Sequence, residues 1–237
     1  MATKTNRLWA IAALVVIGTG FTACLKSVDT TPSRPIAAFS VINGIVSSIS
    51  SDFYDNGTKV PNVVMPMGFA GRNYQAYGGV HKFDFMKTGT TTPFATSTTL
   101  YDSLQYYTLV SYGDSSAAYV KPILDVFSGI SSTTVNFRFF NLSPNSTAVD
   151  LYVSDKKVDS NLTYVGNSSV STAFKSMAGI TSASSIKVKL AGSATTLATL
   201  TTATLQSGYI YTIYLAGMKD SLAGPLKPQV GYVQSLY

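Results

Sequence analysis

One histidine, one cysteine and eleven aspartates hold most of the chemical repertoire of this 237-residue chain, which contains no glutamate. A zinc site draws several His and Cys ligands together; with only His81 and Cys24 to offer, the chain is a poor candidate for one. His81 shares strand parity with Phe83 and Phe85, so it reads as a packed or edge-strand histidine rather than a catalyst. A Ser-His-Asp triad lacks the Gly-x-Ser-x-Gly elbow that would expose its nucleophile. Paired carboxylates could hydrolyse a glycoside, and Asp52 and Asp150 are the pair to consider. They fall at equivalent places of two related segments, so a strand-surface Asp pairing with Lys, or capping a turn, explains both more simply. Calcium needs a cluster of oxygen ligands; Asp52, Asp55 and Asn56 come nearest, and a turn accounts for them equally well.

Contact chemistry is better represented. The chain has fifteen Tyr and twelve Phe, and amphipathic aromatics stack on sugar rings and anchor protein interfaces. Tyr74, Tyr77, Tyr101, Tyr106 and Tyr112 fall in or beside turns and are the candidate ligand-contact aromatics; core packing is the competing assignment for each. No cofactor is implied. Removing Lys4 and Arg7 with an N-terminal leader leaves fifteen bases against eleven acids, spread without a cluster. A nucleic-acid reader would show a basic stripe or a recognisable module, so nucleic acid is not an expected partner.

Cys24 carries the localisation. Lys4 and Arg7 precede an apolar run from Leu8 to Gly20, then Phe21-Thr22-Ala23-Cys24. A basic start, a short apolar stretch and small residues before a cut define a secretory signal, and the run is shorter than the roughly 20 residues a membrane span needs. The last four residues resemble a bacterial lipobox, with Phe21 in place of the usual Leu. That resemblance implies cleavage after residue 23 and lipid on Cys24. An ordinary secreted protein is the alternative, disfavoured because Cys24 is the only cysteine. Two or three acyl chains anchor stably where one is marginal. The membrane is therefore an expected partner, through the lipid on Cys24. Leu25 at the second mature position favours the outer membrane, facing the periplasm or the cell surface.

Stepping along the chain, the elements that would carry these groups are strands. Asp favours turns, and Val, Thr, Tyr and Phe favour strands. Period-two alternation marks Val149, Leu151 and Val153, and again Ile186, Val188 and Leu190. Tyr209 to Leu215 is apolar or aromatic almost throughout, as a strand covered on both faces would be. A repeat is also legible: Phe39–Asn43, Asp52–Tyr54 and Lys59-Val60 recur 98 residues later as Phe137–Asn141, Asp150–Tyr152 and Lys157-Val158. His81–Phe85 aligns with Ile186–Leu190, Leu104-Gln105 with Leu205-Gln206, Tyr107–Leu109 with Tyr211–Ile213, and Lys121-Pro122 with Lys227-Pro228. The expected fold is all-β: two tandem immunoglobulin-like β-sandwich domains of about seven strands each after a lipoprotein signal peptide. The expected division is 1–23 signal peptide, 24–35 lipidated Cys and flexible tether, 36–130 first sandwich and 131–237 second.

Val135–Asn141, Ser143-Pro144, Ala148–Val153, Val158 and Asn161-Leu162 together resemble the bacterial domain-of-unknown-function 4397 family, and Tyr209–Ile213 resembles its closing strand. The resemblance covers about 134–218 well and 36–112 weakly. It implies extracytoplasmic β-sandwiches, often in tandem, frequent in lipoproteins of the Bacteroidetes, and it implies no activity. Asp29-Thr-Thr31, Asp102-Ser-Leu104 and Asp220-Ser-Leu222 resemble the Asp-Ser/Thr-aliphatic O-glycosylation motif of the same bacteria. Three functions compete: a non-enzymatic binding or adhesion module for a glycan or protein partner, a structural or assembly subunit of an envelope complex, and, least supported, a hydrolase.

Overall fold

Among the described residues, the long apolar runs become strands. The computed structural model describes residues 34–167, 171–180 and 183–235; the expected signal peptide, Cys24 and all but the last two residues of the expected tether lie outside the described residues. The first sandwich contains β1 (Ile36–Asn43), β2 (Ser51–Asp55), β3 (Thr58–Met65), β4 (Phe69–Tyr77), β5 (Gly79–Lys87), β6 (Pro93–Tyr101), β7 (Tyr106–Gly113) and β8 (Ala118–Leu124). The second contains β9 (Val135–Asn141), β10 (Val149–Val153), β11 (Lys156–Leu162), β12 (Lys175–Met177), β13 (Ala183–Leu190), β14 (Thr196–Thr204), β15 (Ile210–Ala216) and β16 (Gln229–Gln234).

The two have the same topology. Sheet β4-β1-β7-β8 packs on β3-β2-β5-β6, and β12-β9-β15-β16 on β11-β10-β13-β14. In each, the first and seventh strands run parallel, β1 beside β7 and β9 beside β15. Among the described residues each sandwich therefore has eight strands, one more than the turn spacing predicts. The connector runs from 125 to 134.

Side-chain alternation then fixes a four-layer stack. Phe39, Val41 and Leu109 point into the first core, and Phe137, Phe139 and Ile213 into the second. The opposite faces of the same strands are also covered. Ile42, Val110 and Ile123 of the first sandwich form one apolar cluster with Phe140, Tyr214 and Val233 of the second. Sheets β4-β1-β7-β8 and β12-β9-β15-β16 thus lie back to back. This is why β9 and β15 are buried at every position, as the nearly continuous apolar pattern of Ile210–Leu215 requires; Tyr209 precedes β15 and is exposed. Polar bonds cross the seam too: the Tyr214 hydroxyl donates to Gly68 O at 2.8 Å, and Gln229 Nε2 donates to Met67 O at 2.8 Å.

Equivalent residues do equivalent work. Asn43 donates to Met65 O and accepts from Ile45 N. Asn141 donates to Leu162 O and accepts from Ser143 N. Each closes the irregular backbone after its strand, where unpaired polar groups would be costly. The Tyr107 and Tyr211 hydroxyls each accept a bond from a backbone N–H five residues upstream, at Asp102 and Gln206, as in the tyrosine corner of immunoglobulin-like sandwiches. Asn56-Gly57 and Ser154-Asp155 both take positive φ at the two tips of hairpins β2–β3 and β10–β11, the turn whose twist suits a two-residue hairpin.

Three of the sequence alignments shift. Phe53 faces Phe85 where Leu151 faces Val188, so Phe83 corresponds to Ile186 and His81 to Ser184. A slip of two residues preserves which face each side chain takes, so periodicity alone cannot detect it. The shared tyrosine corner places Tyr101 opposite Leu205, and Leu104 opposite Gly208, both with positive φ. Lys121-Pro122 lies within β8, whereas Lys227-Pro228 precedes β16; they are not equivalent.

Candidate functional site

The polar residues that suggested chemistry are mostly committed to structure. Asp52 pairs with Lys59 at 2.8 Å and Asp150 with Lys157 at 2.7 Å, the expected pairing with Lys in each sandwich, although both aspartates are buried rather than on the strand surface. Asn161, at positive φ in the β11 bulge, donates its N–H to Asp150 Oδ1 at 3.0 Å. The Asn-Leu pair that helped to suggest the family is therefore a bulge held by the strand carboxylate.

Chiefly the Lys157 hydrogen bond, helped by backbone N–H groups, holds the Asp150 carboxyl below its ordinary value. A depressed carboxyl stabilises the fold above its unfolded value of about 3.9, and the contribution disappears as pH falls through the lower folded value. Asp150→Asn is accordingly expected to reduce the acid-induced loss of stability below about pH 4. Urea midpoints of the variant and the parent, compared from pH 7 to 2, check this; parallel profiles would contradict it.

His81 is nearly buried and stacks on Phe83 at 5.5 Å, which agrees with its expected packed role. Its Nδ1 lies 2.7 Å from Asp55 Oδ1, and its Nε2 lies 2.8 Å from Tyr77 O. Asp55 also accepts from the Tyr74 hydroxyl at 2.7 Å. An open cavity of about 400 Å³ adjoins this cluster, lined by Ile36, Asp55, Tyr74, Gln75, Ala76, Tyr77 and His81. Asp55 is thus tied to the histidine and a tyrosine, while Asp52 is tied to a lysine.

The five candidate aromatics do not form one surface. Tyr74 packs edge-on against Phe53 at 5.3 Å while its hydroxyl binds Asp55; burial, then that bond, pushes the hydroxyl well above its ordinary value. Tyr77 is 51% exposed at the end of β4. Tyr106 sits at the start of β7 against Phe127, centroids 5.6 Å apart. Tyr101 must be reassigned. It is 1% exposed and packs on Phe39 and Tyr107 at 5.1 and 4.9 Å, because it occupies the core layer that Leu205 fills in the second sandwich. Proximity to a turn does not decide which way the last strand residue points.

Tyr112 belongs to a group that the sequence divided. It stacks on Tyr119 with centroids 5.7 Å apart and meets Tyr164 edge-on at 6.0 Å. Tyr112 and Tyr119 are neighbours across β7 and β8, whereas Tyr164 follows β11 in the other sandwich. Tyr112 and Tyr164 also pack against the seam cluster, so the three rings cap its rim, with Tyr119 57% exposed. Burial pushes the Tyr164 hydroxyl to about 12 and raises that of Tyr112; both are neutral donors at physiological pH. Neither Tyr119 nor Tyr164 stands out in one dimension. Their signal was the turn residues beside each, read together with a fold that brings the two loops to one edge.

Deeper in the seam lies an ion pair that sequence reading also passed over. Arg138 Nη2 meets Asp125 Oδ1 at 2.7 Å with both side chains almost fully buried. The guanidinium also donates to Thr108 Oγ1 and Thr212 Oγ1, and it lies 4.4 Å from the centroid of the Phe174 ring. Burial pushes the Asp125 carboxyl up and the Arg138 guanidinium down, and their mutual attraction offsets only part of that. The available signal was one cation inside the otherwise uncharged run Val135–Asn141, which calls for a buried acid elsewhere.

The fold and the seam define a class: an all-β protein of two like sandwiches joined through their sheets. Residues 37–152 match the family model described as a domain of unknown function (DUF4397), which supports the family resemblance carried by the sequence motifs. The match covers the first sandwich and the opening two strands of the second, including the Val135–Tyr152 motif. The first sandwich is thus the one wholly matched, contrary to the expectation that the second lies closer to the family. Residues Val158, Asn161-Leu162 and Tyr209–Ile213, also read as family-like, fall outside the matched segment. Among curated proteins, none matches the chain.

Proposed function

We propose that this chain is a membrane-anchored envelope lipoprotein, held by lipid on Cys24 in the outer membrane, that serves as a non-enzymatic binding or adhesion module. Its partner is a glycan or an envelope protein. The observation that carries the reading is the three-tyrosine rim of Tyr112, Tyr119 and Tyr164. It combines exposed aromatic area with two sandwiches that cannot swing apart without breaking the seam. Rigid tyrosines bind at low entropic cost, and a stacked face suits a sugar ring.

Glycan-array and envelope pull-down experiments with the mature chain test it. Binding above background is expected, reduced about tenfold by Tyr119→Ala, the effect of losing roughly 1.4 kcal/mol of stacking. An unchanged melting temperature would show that the loss is local. No binding above background, or binding indifferent to Tyr119, would contradict the proposal.

A second reading, a structural or assembly subunit, draws on Val80 and Leu100. These cross-strand partners on the β3-β2-β5-β6 sheet are 62% and 66% exposed, and such an apolar pair suits a neighbouring protein. Cross-linking in intact envelopes that yields only monomer would remove that reading.

A further inference from the structure

The first sandwich is open along the side where β3 and β4 end their respective sheets. Both edges are distorted there. Opposite Ser40, β4 carries two residues, Arg72 and Asn73, and Asn73 takes φ 74°. Opposite Phe53, β3 carries the stretch 60–63, with Asn62 at φ 59°. Bulges of this kind re-aim side chains and are concentrated at edges and binding sites. Between the two lies an apolar cleft of about 220 Å³, with Val41 and Phe53 as its inner wall, Val60, Val63, Phe69 and Tyr74 as its sides, and Arg72 and Asn73 among its lining. Gly71 is part of the construction, because a Cβ there would meet the Phe69 ring at 3.0 Å.

Arg72 also lines a second space. A groove of about 430 Å³ between the two sandwiches is bordered by Arg72, Thr204, Gln206, Tyr232 and Gln234. The guanidinium is exposed, and it makes no ion pair or side-chain hydrogen bond among the described residues. It therefore stands where an apolar cavity meets a polar one, with its fork of donors unspent.

We propose that the cleft and groove form one binding site for a small amphipathic carboxylate, with the alkyl chain in the cleft and the carboxylate on Arg72. A volume of 220 Å³ holds roughly seven carbon-sized groups at about 30 Å³ each, so the chain is of medium length. Charge complementarity selects the head group, since Arg matches a carboxylate with two parallel bonds. The site is separate from the tyrosine rim and does not rest on its function.

Isothermal titration calorimetry on the mature chain, with sodium octanoate as probe, tests this. Octanoate is expected to bind at one site at least tenfold more tightly than either octan-1-ol, which lacks the charge, or acetate, which lacks the chain. Arg72→Gln, a change at an exposed side chain, should lower octanoate affinity to that of octan-1-ol. Val60→Phe should fill the cleft and abolish binding of both, with circular dichroism reporting that the strands persist. Absence of saturable octanoate binding would overturn the proposal. So would acetate binding as tightly as octanoate, or octanoate binding unaffected by the two substitutions.

Discussion

Arg138→Met is expected to destabilise the protein by about 3–5 kcal/mol, because it leaves the Asp125 carboxylate buried without its counter-charge. The same carboxylate would keep only the Thr108 hydroxyl as a side-chain partner. With total stabilities of about 5–15 kcal/mol usual for folded domains, such a loss brings the variant close to unfolding at ambient temperature. The double variant Arg138→Met/Asp125→Leu should recover most of the loss, since replacing both charges by apolar groups of similar size is often neutral or stabilising. Urea denaturation of the parent, both single variants and the double variant forms a complete cycle. A double variant as unstable as the worse single one would mean that the pair does more than neutralise itself.

Phe39→Ala is expected to cost about 3–5 kcal/mol, the range for deleting a large buried aromatic. Phe39 lies at the centre of the first core, with the rings of Tyr74, Phe83, Tyr101 and Tyr107 all within 6 Å of its own centroid. No single neighbour can close the gap, because each is fixed by further contacts of its own. The Tyr107 hydroxyl binds Asp102 N, and the Tyr74 hydroxyl binds Asp55. Phe39→Leu should cost far less, since it retains most of the volume. The comparison by thermal and urea unfolding separates loss of volume from loss of ring geometry. A small effect of Phe39→Ala would indicate a core able to collapse around the missing ring.

Much of this was legible in the residues themselves. The alternation of Val149, Leu151 and Val153 placed β10 and its buried face, and the 98-residue recurrence found Asn43 with Asn141 and Asp52 with Asp150 in matching roles. The nearly continuous apolar character of Tyr209–Leu215 announced a strand with no solvent face, which holds from Ile210 onward, Tyr209 being exposed. What one dimension withheld was the cover on that second face: a pattern records that both sides are dry and not which surface dries them. The same gap explains Tyr101, whose neighbourhood of turn residues hid its core position, and Tyr164, which reaches Tyr112 only after the sandwiches join. Arg138 was the strongest unread signal. A cation in a run as apolar as Val135–Asn141 has to be answered by a buried acid, and Asp125 lies within the apolar stretch Ile123–Phe127.

The seam joins the sheets back to back and brings Tyr164 to Tyr112. Native-state hydrogen exchange with mass-spectrometric readout, comparing the protein with its Arg138→Met variant, tests this seam most directly. If the sandwiches share the seam as one cooperative unit, β1 and β7 of the first and β9 and β15 of the second should lose protection together and by similar amounts. Loss confined to β9 and β15, with β1 and β7 as protected as before, would contradict it.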